Sequence, residues 1–370
     1  MRGESEILEG ARKKGLGCNV PGDVGEGGVR NSAIADVIKI WMWAVGSLVV
    51  GLGVTPVVYN GGKALFELVL SKDFSSMINR VAAWCGTAEM EDFFKLCWGV
   101  AAVVLVLPLI EWLGLKNHGR WPGPGGLRLP HHGSAERGNG QVMERNGRGL
   151  LEGLLGFFLV CGCFFLIGVA LVEAGAFSKN RAAAWWGETF FYDLGVAVGM
   201  ALVVETFYRR VVLGVFLRAM NGWLAAGLAA VMFGMVPLVL SGFSKVGAVD
   251  GELLGGWRLA GMVLGGGDVF FRLMVVFMPW FAFGLVLGWA RCRTASVWLP
   301  WGFLAGWLLA ERLFSRVVVP VEIPDRFAGY FASESLHYGL IPLLGVIVIG
   351  GLVPIITHGY SFQRDSEAGD

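Results

Sequence analysis

Glu205 and Arg209 close an apolar run in the string Val204-Glu205-Thr206-Phe207-Tyr208-Arg209-Arg210. Residues four apart share a helix face, so these two can pair. An ionisable side chain is expensive in hydrocarbon, and each one asks for a reason. Two chemistries fit the pair. One is a structural ion pair at a helix end, with the arginine stem reaching back to the interface. The other is what is left of an active site, in which a carboxylate serves as general base. Glu311 is a third ionisable group in an apolar run, next to Arg312 and close to Arg316. His131-His132 sit in a Gly/Pro-rich stretch with no cysteine or aspartate beside them, which describes a solvated loop better than a metal centre. His337 and His358 flank the last apolar run and read as interfacial. Cys161-x-Cys163 offers neither zinc spacing nor a disulfide framework, and the apolar cysteines read as small hydrophobes. Cys85 is placed in an outside loop, open to oxidation. There is no GxxxxGK[ST], HExxH or GxSxG string. No metal and no cofactor is expected.

These residues must be held by membrane helices. Of 370 residues, 55% are hydrophobic and 16% charged, against roughly 25% charged in soluble domains. The 57 glycines and 15 tryptophans suit membrane helices and their interfaces. A net charge of +1 gives no electrostatic footprint for nucleic acid. A spanning helix needs about 20 apolar residues. Eight stretches qualify, near 37–58, 93–115, 150–174, 190–206, 222–243, 268–290, 296–314 and 338–357. The fourth and seventh are the weakest. The fold class is therefore all-α, a polytopic membrane bundle of about eight transmembrane helices, and the lipid bilayer is its first partner.

Lysine and arginine in the short loops set the orientation. Arg2, Arg12, Lys13, Lys14 and Arg30 precede the first span, and Arg209, Arg210, Arg218, Arg291 and Arg293 follow later ones. This predicts cytoplasmic termini and an uncleaved first span. The domains are a cytoplasmic segment 1–33, two membrane helices over 34–115, a flexible basic loop over 116–148, a six-helix membrane domain over 149–358, and a cytoplasmic tail over 359–370.

Three segments then carry a resemblance. Val204 to Gly214 is similar to the EExxFRGxLLG signature of the CPBP family, the CAAX-type glutamic intramembrane endopeptidases that include the Abi and lysostaphin-resistance-like proteins. Ala230-Val231-Met232-Phe233-Gly234-Met235-Val236-Pro237 looks like that family's FxxxH segment. Arg293 to Trp307 looks like a bacterial RTGSLWLPIGLHAGW segment. The resemblance covers about 190–315 and implies a CAAX-protease-like core in a bacterial inner membrane. It also implies a site of two adjacent glutamates, two histidines and an asparagine. Here those positions hold Val204, Glu205, Pro237, Leu304 and Leu308, while the motif arginine is Arg209. In a second register Glu205 is the first glutamate, Thr206 the second and Arg210 the arginine, and the histidine positions stay empty. Valine, proline and leucine neither accept a proton nor donate a side-chain hydrogen bond.

The expected function is that of a degenerate endopeptidase homologue, a pseudoenzyme that binds a membrane protein or hydrophobic peptide without cutting it. One alternative is an active peptidase with a rearranged site around Glu205. Another is an unrelated membrane transporter. Glu311 lies seven residues after Leu304, on the same helix face, and is expected as a buried acid paired either with Arg209 or, at the outer interface, with Arg312 or Arg316.

Overall fold

A computed structural model describes residues 28–70, 75–113, 139–180, 188–243, 261, 271, 273–294, 296–321 and 335–357. His131, His132 and His358 lie outside the described residues, as do most of the basic loop, both tails and the Gly265–Gly267 run.

All eight apolar stretches are helical over most of their described residues. They form α1 (Gly28–Leu70), α3 (Met90–Trp112), α4 (Asn139–Glu173), α5 (Glu188–Glu205), α7 (Gly222–Phe243), α8 (Met278–Thr294), α9 (Trp298–Val317) and α10 (Leu340–Ile356). Two short helices were not foreseen: α2 (Ser76–Thr87) and α6 (Leu213–Ala219). Six stretches are long and apolar enough by themselves to cross a bilayer: 34–70, 90–112, 149–173, 189–219, 222–241 and 273–294. The other two are α9, which carries Glu311, Arg312 and Arg316, and the 17-residue α10. Large apolar side chains such as Val103, Leu107, Leu166 and Ile355 point outward and are about 70% exposed. Water does not tolerate so continuous an apolar surface. Helices whose backbone groups are satisfied internally suit lipid. The chain is a multi-pass membrane protein.

Three boundaries differ from the hydropathy pattern. Helix α4 starts at Asn139, inside the segment expected to be loop. The fourth span does not stop at Thr206 but runs through a π-helical turn, Thr206–Val212, into α6. A second π turn, Leu273–Phe277, opens the sixth span. Cys85 is also not in an open loop. It is buried in α2, in a cluster with Phe93 and Ala88, where burial protects it from oxidation.

The densest packing joins α4 to α9. Small residues allow it, as is common between membrane helices. Gly302 meets the backbone of Gly153. A side-chain carbon at Gly306 would come 2.5 Å from the Phe157 carbonyl, and one at Gly156 would strike the Phe303 ring at 2.8 Å. At its far end α4 stops in a Schellman motif. Gly175 takes φ +78°, the Gly175 N–H bonds Val172 O, and the Ala176 N–H bonds Leu171 O. The chain then enters β1 (Phe177–Lys179), which pairs antiparallel with β2 (Val318–Pro320) in the register Phe177 to Pro320. This ribbon ties the end of α4 to the end of α9. Gly339, at φ +108°, starts α10 and donates its N–H to Val275 O in the second π turn. The main core lies between α4, α8, α9 and α10, around Phe164, Phe283, Phe303 and Trp307.

Candidate functional site

Glu205 is the last residue of α5, and Arg209 lies in the π turn that follows. In that turn the Leu213 N–H reaches back five residues to Tyr208 O, so the coil is wider than in an α-helix. π turns of this kind frequently mark functional sites. Arg209 Nε lies 3.4 Å from Glu205 Oε2, and the two side chains are 0% and 2% exposed. Arg209 also donates from Nη2 to the Gly284 carbonyl of α8 at 3.2 Å, and its guanidinium sits 5.9 Å from the Phe233 ring centre. Arg291, in the last turn of α8, is the second cation whose field reaches Glu205. Neither Glu205 oxygen has a well-aligned hydrogen bond. The contact is thus chiefly Coulombic, between two ions sealed from solvent.

The family's other polar positions are apolar here, and most of them belong to the main core. Leu304 is buried in the main core, and Val204 and Leu308 pack against it together with Phe233. Pro237 is buried in α7, one turn beyond Phe233. Tyr208 meets Phe233 edge-on at 5.4 Å, and Phe233 in turn meets Trp280 at 5.5 Å. No histidine occurs in the sequence between 188 and 317. Among the described residues no histidine is bonded to Glu205, and the side chains at positions 204, 237, 304 and 308 supply no polar group for an oxyanion. Arg210, the arginine of the alternative register, has its side chain outside the described residues.

Both expectations for Glu311 need correction. It does not pair with Arg209, which is committed to Glu205 and Gly284 O. Nor does it pair with Arg312 or Arg316. Those two converge on Asp193 of α5, at 3.0 and 2.6 Å. Asp193 is 1% exposed, so it is the stronger attraction for both arginines. Glu311 instead faces residues 335–337, where it is bonded by the Ser335 hydroxyl and the Leu336 N–H, with His337 Nε2 4.0 Å from its Oε2.

His337 is likewise not a simple interfacial histidine. It is 3% exposed and lies flat on Trp307, at 4.3 Å between ring centres. Its signal in the sequence was its place directly before an apolar run. Asp193 was missed altogether, although an acid within the fourth apolar run carried the same signal as Glu311. Among the described residues no group of three or more histidine, cysteine or acidic side chains is placed to hold a metal ion.

The comparisons with known proteins bear on the same helices. Residues 186–310 match the family described as Type II CAAX prenyl endopeptidase Rce1-like. No curated protein matches, and no solved structure matches. The matched third of the chain runs from the start of α5 through the π turn to α9 and contains the elements that carry Glu205, Arg209 and the Gly284 carbonyl. Over this core the chain resembles the CAAX prenyl endopeptidases, a family of helical membrane proteins.

Proposed function

We propose that this chain is a non-hydrolytic member of the family, which binds a membrane protein or hydrophobic peptide and does not cut it. One observation carries the reading: Glu205, the one retained glutamate, is sealed against Arg209, while the four positions where the family's polar groups are expected hold Val204, Pro237, Leu304 and Leu308. A base needs water within reach, and each missing oxyanion donor costs about 10²–10³ in rate. No observation favours a rearranged peptidase centred on Glu205. The family match over residues 186–310 also argues against an unrelated transporter.

The test is cleavage of a prenylated CAAX peptide and of a single-span peptide by the full chain in proteoliposomes. The expected rate equals that of protein-free liposomes and does not change in Glu205→Gln. Turnover that Glu205→Gln abolishes would overturn the proposal.

The same reading places both termini in the bacterial cytoplasm, because Arg218, Arg291 and Arg293 cluster at the Glu205 end of the bundle and cytoplasmic loops favour positive charge. A C-terminal reporter fusion is expected to signal from the cytoplasm. A periplasmic signal would reverse the orientation.

A further inference from the structure

Near the opposite end of α9 from the Glu205 pair, a second group of polar atoms is buried among aromatic rings. Phe283, Trp307 and His337 form a stack, with ring centres 4.1 and 4.3 Å apart and interplanar angles of 20° and 25°. Trp280 stands edge-on to the stack, 5.6 Å from Trp307 and 5.3 Å from His337. His337 Nε2 lies 3.0 Å from the Trp307 carbonyl. A carbonyl only accepts, so Nε2 carries a hydrogen and donates it.

Three polar atoms in this group have no hydrogen-bond partner: the indole Nε1 of Trp280, the indole Nε1 of Trp307 and Oε2 of Glu311. Trp307 as a whole is 0% exposed. Buried polar groups are rarely left unpaired, and each exception asks for a cause. Both faces of Trp307 are covered by Phe283 and His337, which leaves no ring face for a cation. What the three atoms offer is two donors and one carboxylate oxygen. A water accepts two hydrogen bonds and donates two, and buried waters typically make about three bonds to such groups.

Charge points the same way. On α9, Arg312 and Arg316 turn to Asp193 of α5. On α8, Arg291 and Arg293 belong to the last turn, at the other end of the helix from Trp280. Helix α10 carries no ionisable residue, the thiols α4 packs on this core are Cys161 and Cys163, and Glu173 at the end of α4 pairs with Lys179. His337, from the 335–339 segment, lies beside Glu311, its Nε2 4.0 Å from Oε2. An acid inside a membrane without a cation is a functional site by default.

We propose that this cluster is a water-and-proton site. One water is held by the indole N–H groups of Trp280 and Trp307 and by Glu311, and Glu311 takes up and releases a proton through it. The site is independent of how Glu205 acts.

The experiment uses the full chain in proteoliposomes. A hydrophobic carbodiimide reacts with protonated carboxyls in apolar surroundings, and mass spectrometry of the digest locates the adduct. The expected result is labelling at Glu311 and not at Glu205, with at least tenfold less labelling by a water-soluble carbodiimide. In infrared difference spectra, an O–H stretch that moves in heavy-oxygen water is expected in the parent protein and lost in Trp280→Phe and in Trp307→Phe. Absence of labelling at Glu311 in folded protein would overturn the proton site, as would equal labelling by the water-soluble reagent. An infrared spectrum identical in the parent and both tryptophan variants would overturn the water site.

Discussion

Gly302→Ala is expected to abolish the folded protein, or to leave it at least about 3 kcal/mol less stable, beyond the usual cost of an overpacked core. The added carbon falls on the backbone of Gly153. Backbone cannot rotate away as a side chain can, so α4 and α9 must separate along their contact. The same separation would loosen Gly306 from Phe157 and Gly156 from Phe303, and would draw α9 away from the core around Trp307. Gly162→Ala supplies the contrast. It lies on the same α4, with nothing within 4 Å of the added carbon, and is expected to stay within about 1 kcal/mol of the parent, since alanine is the better helix former. Thermal unfolding in detergent, followed by size exclusion, checks both. A Gly302→Ala protein that melts with the parent would mean that the two helices do not meet through these glycines.

The second large effect concerns the sealed pair. Arg209→Met leaves Glu205 buried among apolar side chains with its nearest cation removed, at a cost of about 3–5 kcal/mol. Glu205→Leu strands Arg209 in the same way, although its bond to the Gly284 carbonyl softens the loss. The double variant, with both ions replaced by apolar groups, is expected to recover most of the stability, because two desolvation costs vanish together. A double-mutant cycle reads this directly. Two mild single variants would show that water reaches Glu205, and the case for hydrolysis would reopen.

Much of the bundle was legible in the sequence because a spanning helix has to be apolar along its whole length. The runs around α3, α7 and α10 announce themselves by composition alone. The seventh, α9, was among the weakest by that measure, yet Leu304, Ala305, Gly306 and Trp307 make it the most enclosed. Its charged residues are tolerated because Asp193 and the 335–337 segment receive them. The π turns were not legible. Nothing in Thr206–Val212 distinguishes it from an α-helical turn, and the insertion is decided by how α5 and α6 must each meet their neighbours.

The site was legible by halves. Glu205 and Arg209 share a local spacing, so their pairing could be foreseen. The partners of Glu311 lie 24 to 26 residues away, beyond β2 and just before α10, and Asp193 is more than a hundred residues from the arginines it binds. Such contacts follow from the arrangement of helices and leave no periodic trace. The sequence allowed Arg209 to meet either Glu205 or Glu311, and in the fold it meets Glu205.

The glycine contact between α4 and α9 also has a consequence in time. Gly153 and Gly302 are 149 residues apart (302 − 153). At about 5–20 residues per second, the ribosome delivers α9 on the order of ten seconds or more after α4. Throughout that interval α4 stands in the membrane with its glycine face uncovered, available to any small-residue helix nearby. Of the contacts that define the bundle, the tightest is therefore among the last that synthesis permits, and the newborn chain is most exposed to a wrong neighbour just before α9 emerges.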